Sequence, residues 1–294
     1  MSNRPDIRLI RALVQSSFPD LAHAKIRSAR THGTDNYIYR IDNDLALRIA
    51  RSDESAPALI CREQVALKEL NDLSLQTPKF LARGLLPKPD NRPWVICTWL
   101  EGKSAELAAY KATEADAKRL ALFLLDLQGC RKEPASEPAP DNHWRGVGLA
   151  KRDTPTRKAI VTLSDEFDAA KLRRLWHASV NAASCPRRDY TWIHGDLHTG
   201  NLVVSEGALT GVIDWGLSAI GDPACDLMAG FTVFEGAARD AFANAMKASE
   251  ADWLRGRGWA LSTSVIALAH YRGGDTPIVA RSRAILQNLL AETA

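Results

Sequence analysis

Between Trp192 and Leu227 the chain reads WIHGDLHTGNLVVSEGALTGVIDWGLSAIGDPACDL, and three of its residues are of types that handle phosphate. Asp196 and Asn201 stand in a D-x-x-x-x-N relation, with His194 two residues ahead of the Asp. Asp214 follows an apolar run and precedes Trp215-Gly216. Leu202-Val-Val204 and Leu209-Thr-Gly-Val-Ile213 flank Ser205-Glu-Gly-Ala208, a hairpin pattern whose turn lies midway. Its arms fold back and set Asn201 opposite Asp214. An amide oxygen and a carboxylate converging beside a second carboxylate suit phosphoryl transfer. The charge on β- and γ-phosphates is neutralised by a divalent metal held by hard oxygen ligands, here Asn201 and Asp214. The remaining carboxylate, Asp196, can orient and deprotonate an acceptor hydroxyl as general base. A lone D-x-x-x-x-N is commonly a cap or turn. The combination with the hairpin register carries the assignment.

The neighbours read as support for that loop. His194 is expected to hold it by a buried hydrogen bond rather than to carry a proton. His198 is a loop residue and a weak candidate for a metal. Asp222-Pro223 is a helix start signal, an N-cap followed by Pro at the first helical position. Asp226, one turn on, braces the catalytic loop, and Trp215 packs.

The elements that must position these residues fall into two textures. Ile7, Ile10, Leu13 and Val14 recur at helical spacing until Pro19. Tyr37, Tyr39 and Ile41, then Leu45, Leu47 and Ile49, alternate around the turn residues Asp42-Asn43-Asp44, which gives a β-hairpin. Residues 57–71 return to helical spacing, and Trp94 to Leu100 is a short buried strand. Past Gly102 helical patterns dominate at 114–128, 155–182, 222–247, 250–271 and 279–292, with strand expected only at 201–214. Residues 133–141, with three prolines, read as a surface loop. The expected fold is α+β and bilobal, with a β-rich N-terminal lobe over 1–97, a hinge at 98–102 and a helical C-terminal lobe over 103–294.

Composition bounds the rest. The 294 residues are 46% hydrophobic and 25% charged, which excludes disordered and fibrous classes. The 38 basic against 35 acidic residues give a formal charge of +3, too even to point to nucleic acid or a membrane surface. The five cysteines (Cys61, Cys97, Cys130, Cys185, Cys225) are scattered, with no C-x-x-C pair, so neither a disulfide framework nor a structural zinc site is expected. The opening MSNRPDIRLIRALVQ lacks the apolar core of a signal peptide, and the uncharged stretch from Trp259 to Tyr271 is shorter than a membrane span. A soluble, cytoplasmic chain is expected, and the Trp259–Tyr271 stripe is read as core.

HGDLHTGN, followed by GVIDWG and GDPACDL, resembles the aminoglycoside phosphotransferase family of antibiotic and small-molecule kinases, related in fold to protein kinases. The resemblance implies transfer of the γ-phosphate of ATP or GTP to a hydroxyl of a small molecule, with Asp196 as base and Asn201 and Asp214 on Mg2+. Kinase-like folds also place a cation on the third strand, paired with a helix Glu. The matching positions are Arg48, in Ala46-Leu-Arg48-Ile, and Glu63. The family most often has Lys at the strand position; Arg keeps the charge but is bulkier and planar, so the exchange is not neutral. The loop Thr31-His-Gly-Thr-Asp-Asn36, with Thr34 at its tip, would cover the phosphates, although it lacks a G-x-G-x-x-G pattern. Cys97, Thr98 and Leu100, at the lobe junction, would meet the nucleotide base through the backbone.

For the acceptor, residues 222–254 carry six acids (Asp222, Asp226, Glu235, Asp240, Glu250, Asp252) against Arg239 and Lys247. That tilt would suit a cationic acceptor such as an aminoglycoside; a solvated helix face is the bland account. A macrolide, or a metabolite of the sugar, choline or homoserine type, uses the same chemistry. A nucleotide-binding pseudokinase is the reading from a different class, opposed by retention of Asp196, Asn201 and Asp214.

Overall fold

The computed structural model describes residues 4–29, 36–51, 56–70, 72–133 and 135–292. Thr34 and residues 31–35 of the expected phosphate-covering loop lie outside them. The chain opens with α1 (Ile7–Ser17), capped by the Asp6 carboxylate. Then come β1 (Ile26–Ser28), β2 (Asn36–Ile41), β3 (Leu45–Ala50), α2 (Ala56–Glu69), β4 (Phe80–Leu85) and β5 (Pro93–Thr98). These strands form one antiparallel sheet in the order β1-β2-β3-β5-β4.

The two-residue period of a strand decides which side chain faces what. Leu47 and Ile49 of β3 and Trp94 and Ile96 of β5 pack with Ile10 and Val14 of α1 on one face. The alternate residues point to the other face, where Ala50 and Val95 pack on Ile60 of α2. Arg48 is therefore delivered to the α2 side. On α2, Leu59, Ile60, Glu63, Ala66 and Leu67 share the buried stripe at helical spacing, with Arg62 buried beside them, and Glu63 is the one carboxylate of that stripe.

Beyond Thr98 the molecule is mostly helical. A two-residue strand β6 (Lys103–Ser104) leads to α3 (Glu114–Gly129), whose Thr113/Asp116 capping box fixes its start. After α4 (Asp153–Thr162) and α5 (Ala169–Val180) come β7 (Thr191–Ile193), β8 (Leu202–Ser205), β9 (Ala208–Val212) and β10 (Ala219–Gly221). The chain ends with α6 (Ala229–Thr232), α7 (Gly236–Met246), α8 (Glu250–Tyr271) and α9 (Pro277–Ala291). Among the described residues no helix is long and apolar enough to cross a membrane, and all five cysteines are free thiols. Trp259 and its apolar neighbours on α8 lie in the main core, as expected.

Two expected long helices are broken. Residues 155–182 divide into α4 and α5, because Leu163 and Phe167 turn into the core and Asp168 caps a new start by accepting the Lys171 N–H at 2.9 Å. Residues 222–247 divide into a tight turn, α6 and α7. The Arg239 guanidinium closes that break, its Nε donating to the carbonyls of Gly230 (2.6 Å) and Phe234 (3.2 Å) that a continuous helix would have paired internally. Strand also extends beyond 201–214 in this half, in β6, β7 and β10. Each is three residues or fewer, too short to show a period.

Candidate active site

The hairpin β8/β9 forms as expected, but a register shift between Val203 and Val204 sets Asn201 opposite Ile213, one residue short of Asp214. Leu202 pairs with Val212, and the Ile213 N–H donates to the Asn201 carbonyl at 3.0 Å. That bond sets the end of the catalytic loop beside Asp214. Asp214 itself adopts the left-handed conformation (φ 72°, ψ 69°), which Asp tolerates better than most residues and which turns its carboxylate away from the strand line. Asn201 closes a single helical turn (Thr199–Asn201), and its Nδ2 donates to the Asp196 carbonyl (2.9 Å) and to Asp196 Oδ2 (3.2 Å).

The catalytic loop is braced from beneath. The buried Asp226 carboxylate accepts the N–H groups of His194 (2.6 Å) and Gly195 (2.8 Å). His194 is fully buried, and its Nδ1 lies 3.2 Å from the Asp196 N–H. Nδ1 therefore accepts, Nε2 keeps the ring proton, and that proton goes to the Ile213 carbonyl at 3.0 Å. Burial holds this imidazole below the usual histidine range, so it stays neutral and structural, as expected. Trp215 packs edge-on against the same ring and against Phe123. Asp222 is the expected N-cap, accepting the Ala224 N–H, and it also takes the buried Arg255 guanidinium at 2.8 Å.

Burial alone would raise the Asp196 carboxyl. The hydrogen bond from His198 and the charge of Arg145 outweigh it and hold the group well below the usual carboxylate range. His198 Nε2 lies 3.5 Å from Asp196 Oδ2, and Arg145 Nη2 donates to Oδ1 at 3.1 Å. Neither partner was legible in the sequence. Arg145 sits 51 residues upstream in an irregular turn, with no pattern to single it out.

On the opposite wall Arg48 donates through Nη1 to Glu63 and through Nη2 to Asp214 Oδ1 at 2.7 Å. The expected strand cation, helix carboxylate and metal-site carboxylate thus meet. Burial works against the Arg48 charge, but Glu63 and Asp214 raise its pKa above the ordinary arginine value. Burial raises Glu63, against the pull of Arg48. Arg48, Glu63, Asp196 and Asp214, with Asn36 at the rim, line one cleft of about 330 Å³. The neighbouring Arg62 clamps α2 to the 133–141 loop, donating to both Asp141 oxygens (2.6 and 2.9 Å) and to the Glu137 carbonyl (3.0 Å). That loop is thus a tether as well as surface.

Asn201 Oδ1 and Asp214 Oδ2 accept no hydrogen bond among the described residues, and the Asp214 side chain keeps 40% exposure. Two hard oxygens facing a cleft fit a magnesium ion that completes its shell with water and phosphate oxygens. No three His, Cys, Asp or Glu side chains gather among the described residues, so no self-sufficient protein cage is formed. At the junction, Cys97 lies buried in β5, where desolvation pushes its thiol up to about 12. The Thr98 N–H donates to the Lys79 carbonyl, and its hydroxyl accepts the Lys79 N–H. Those groups are committed to the sheet edge, which leaves Leu100 as the junction residue clear of the strands.

The acidic tilt of 222–254 does not form an acceptor wall. Asp222 and Asp226 are buried in the bonds above, Asp252 caps α8 and pairs with Arg255, and Glu235 accepts from Asn288. Glu235, Asp240 and Glu250 remain exposed, spread over two helix starts and a helix face.

Comparison with known proteins follows this geometry. Viomycin phosphotransferase of Streptomyces vinaceus is 29% identical over 169 residues, covering 54% of this chain; the chain spans about half (56%) of that relative's length. Aminoglycoside 2'-phosphotransferase-IIIa, solved with GDP, superposes with a TM-score of 0.70 at 17% identity, covering 99% of this chain and 100% of that one. Aminoglycoside phosphotransferase APH(4)-Ia gives 0.67 at 14% identity, covering 98% and 100%. At such identities the likeness shows the fold, which is the bilobal, protein-kinase-like one. A family model described as the phosphotransferase enzyme family matches residues 27–259, most of the chain and all of the loop and hairpin described above, and the chain belongs to that family.

Proposed function

We propose that this chain transfers the γ-phosphoryl group of ATP or GTP to a hydroxyl of an amine-bearing antibiotic of the aminoglycoside kind. The observation that carries this reading is the meeting of Arg48, Glu63, Asp196 and Asp214 on one cleft, with Asn201 held to Asp196 by its side-chain amide. The acceptor class rests on the relatives: one acts on viomycin by name, and solved neighbours hold GDP with kanamycin, or AMP-PNP with hygromycin B.

In this reading Asp196 orients the acceptor hydroxyl and takes its proton. A carboxylate held so acidic is a weak base, which suits a loose transition state in which the proton leaves late. Arg48 covers phosphate oxygens from the sheet side while Glu63 fixes its direction. Asn201 and Asp214 would hold Mg2+, which neutralises charge on the β- and γ-phosphates when bound.

Purified protein with magnesium and γ-labelled ATP or GTP, offered aminoglycosides, viomycin, macrolides and simple amino alcohols, tests the proposal. Label is expected on an amine-bearing antibiotic. Asp196→Asn, nearly isosteric, is expected to lower kcat by roughly 10²–10⁴ in a protein that stays folded at the assay temperature, although loss of the charge facing Arg145 lowers its thermal midpoint. Label moving only to a sugar or small amino alcohol would replace the acceptor assignment, and full turnover by Asp196→Asn would remove the base assignment.

A further inference from the structure

Outside the nucleotide cleft, α9 reaches back to the catalytic loop. Arg281 Nη1 donates to Glu106 Oε1, a pair joining residues 175 apart in sequence. Arg281 Nη2 lies 3.5 Å from His198 Nε2, the atom that stands 3.5 Å from Asp196 Oδ2. His198 Nδ1 accepts the Gly200 N–H at 3.0 Å, so in the neutral ring Nε2 carries the proton and faces Asp196. Arg281 therefore finds a donor rather than an acceptor in His198, and its anchor is Glu106.

Glu106 is itself fixed to the loop, for its N–H donates to the Thr199 carbonyl at 3.0 Å, and the Ala105 N–H donates to Leu202 at 2.8 Å. Its second oxygen, Oε2, accepts no hydrogen bond among the described residues, and the side chain keeps 22% exposure. Gly200 leaves room for this arrangement. A Cβ there would stand 2.8 Å from the His198 ring and 3.4 Å from Glu106 Oε2. None of Glu106, His198 and Arg281 lines the cleft of Arg48 and Asp214. In-line transfer brings the acceptor to Asp196 from the side the nucleotide does not occupy, and Glu106 connects to Asp196 through Arg281 and His198 outside the nucleotide cleft.

We propose that Glu106 is the seat for an ammonium group of the acceptor, with Oε2 receiving its N–H and Arg281 acting as a positioning residue that holds Oε1. This rests on the reading of the acceptor as an amine-bearing molecule. The arginine also sets a limit. With Arg281 and Arg145 both beside the base, the seat takes one ammonium close to the reacting hydroxyl rather than a cluster of them.

Steady-state kinetics and calorimetric binding with kanamycin and viomycin, and with analogues carrying hydroxyls in place of amines, test this. A charge-assisted hydrogen bond predicts that Glu106→Gln raises the acceptor KM and Kd by roughly 10- to 100-fold, with the loss on KM rather than on kcat or the KM for MgATP. The penalty is expected to shrink to less than about threefold for the amine-free analogue that replaces the seated group. Arg281→Lys, which retains a cation for Oε1, is expected to lose less acceptor affinity than Arg281→Gln. An equal penalty on every analogue, or a shift in the KM for MgATP, would overturn the seat while leaving the antibiotic reading in place. A wild-type enzyme that phosphorylates neither kanamycin nor viomycin, yet phosphorylates an amine-free polyol, would remove both.

Discussion

At the scale of single residues the site is built from groups whose ionisation is settled by their neighbours. His194 shows this best. It is buried and neutral, and it spends both ring nitrogens on backbone, one on the Asp196 N–H and one on the Ile213 carbonyl. A single side chain thus ties the base to the strand end that leads into Asp214. His194→Leu has similar bulk but strands a buried donor and a buried acceptor, each costing about 1–3 kcal/mol. Urea unfolding is expected to show a loss of about 2–6 kcal/mol. Because the loop is released from the hairpin, kcat is expected to fall more than the KM for either substrate rises. A variant equally stable and equally active would mean that Asp226 alone holds the loop. His198 has the opposite character: it faces Asp196 on a partly open surface, and its proton is placed by a single backbone N–H.

At the scale of elements, β3, α2 and the end of β9 meet in the Arg48 triangle. Glu63 is 1% exposed and sits on the apolar stripe of α2, so its charge is tolerated only because Arg48 is there. Arg48→Met leaves a buried carboxylate without its partner, which typically costs about 3–5 kcal/mol. Calorimetry is expected to show a correspondingly lower midpoint, and Arg48→Met with Glu63→Leu is expected to recover most of it without restoring nucleotide affinity. Failure of the double variant to recover stability would show that Asp214, rather than Glu63, governs the arginine. Arg48, Glu63 and Asp214 were legible because the family resemblance named their roles and each lies on a strong local pattern: an alternating strand, a helical stripe and the end of a hairpin. The breaks at 163–168 and 233–235 were not, since helix-compatible residues run through both and only tertiary contacts, Leu163 and Phe167 in the core and Arg239 on two carbonyls, decide them. Arg145 and Arg281 were invisible for a related reason. Nothing local marks an arginine whose partner lies 51 or 175 residues away.

At the scale of the whole molecule, a buried carboxylate ties the β8/β9 hairpin to the start of α3. Asp116, 1% exposed in the first turn of α3, accepts the Leu209 N–H of β9 at 2.9 Å through Oδ1. Its Oδ2 accepts the N–H and hydroxyl of Thr113 (2.9 and 2.8 Å) and lies 2.8 Å from the Tyr110 hydroxyl. Burial works to raise this acid, but the hydrogen bonds from Leu209, Thr113 and Tyr110 prevail and bring it down to about 2. An acid whose folded pKa lies below its unfolded value of about 3.9 contributes stability that is complete above that value. The contribution is lost as pH falls through the folded value of about 2. At about 1.36 kcal/mol per pH unit the difference amounts to about 2 kcal/mol. Wild-type stability, followed by urea unfolding, is therefore expected to fall between about pH 4 and pH 2 more steeply than that of Asp116→Asn. The variant, already weaker by about 2 kcal/mol at neutral pH, has no such proton to take up. The two curves should converge toward pH 2. Parallel curves would mean that the hairpin is held by its apolar contacts with α3, Leu209 and Val212 against Leu120 and Leu124 in the main core, and that Asp116 serves the start of its own helix alone.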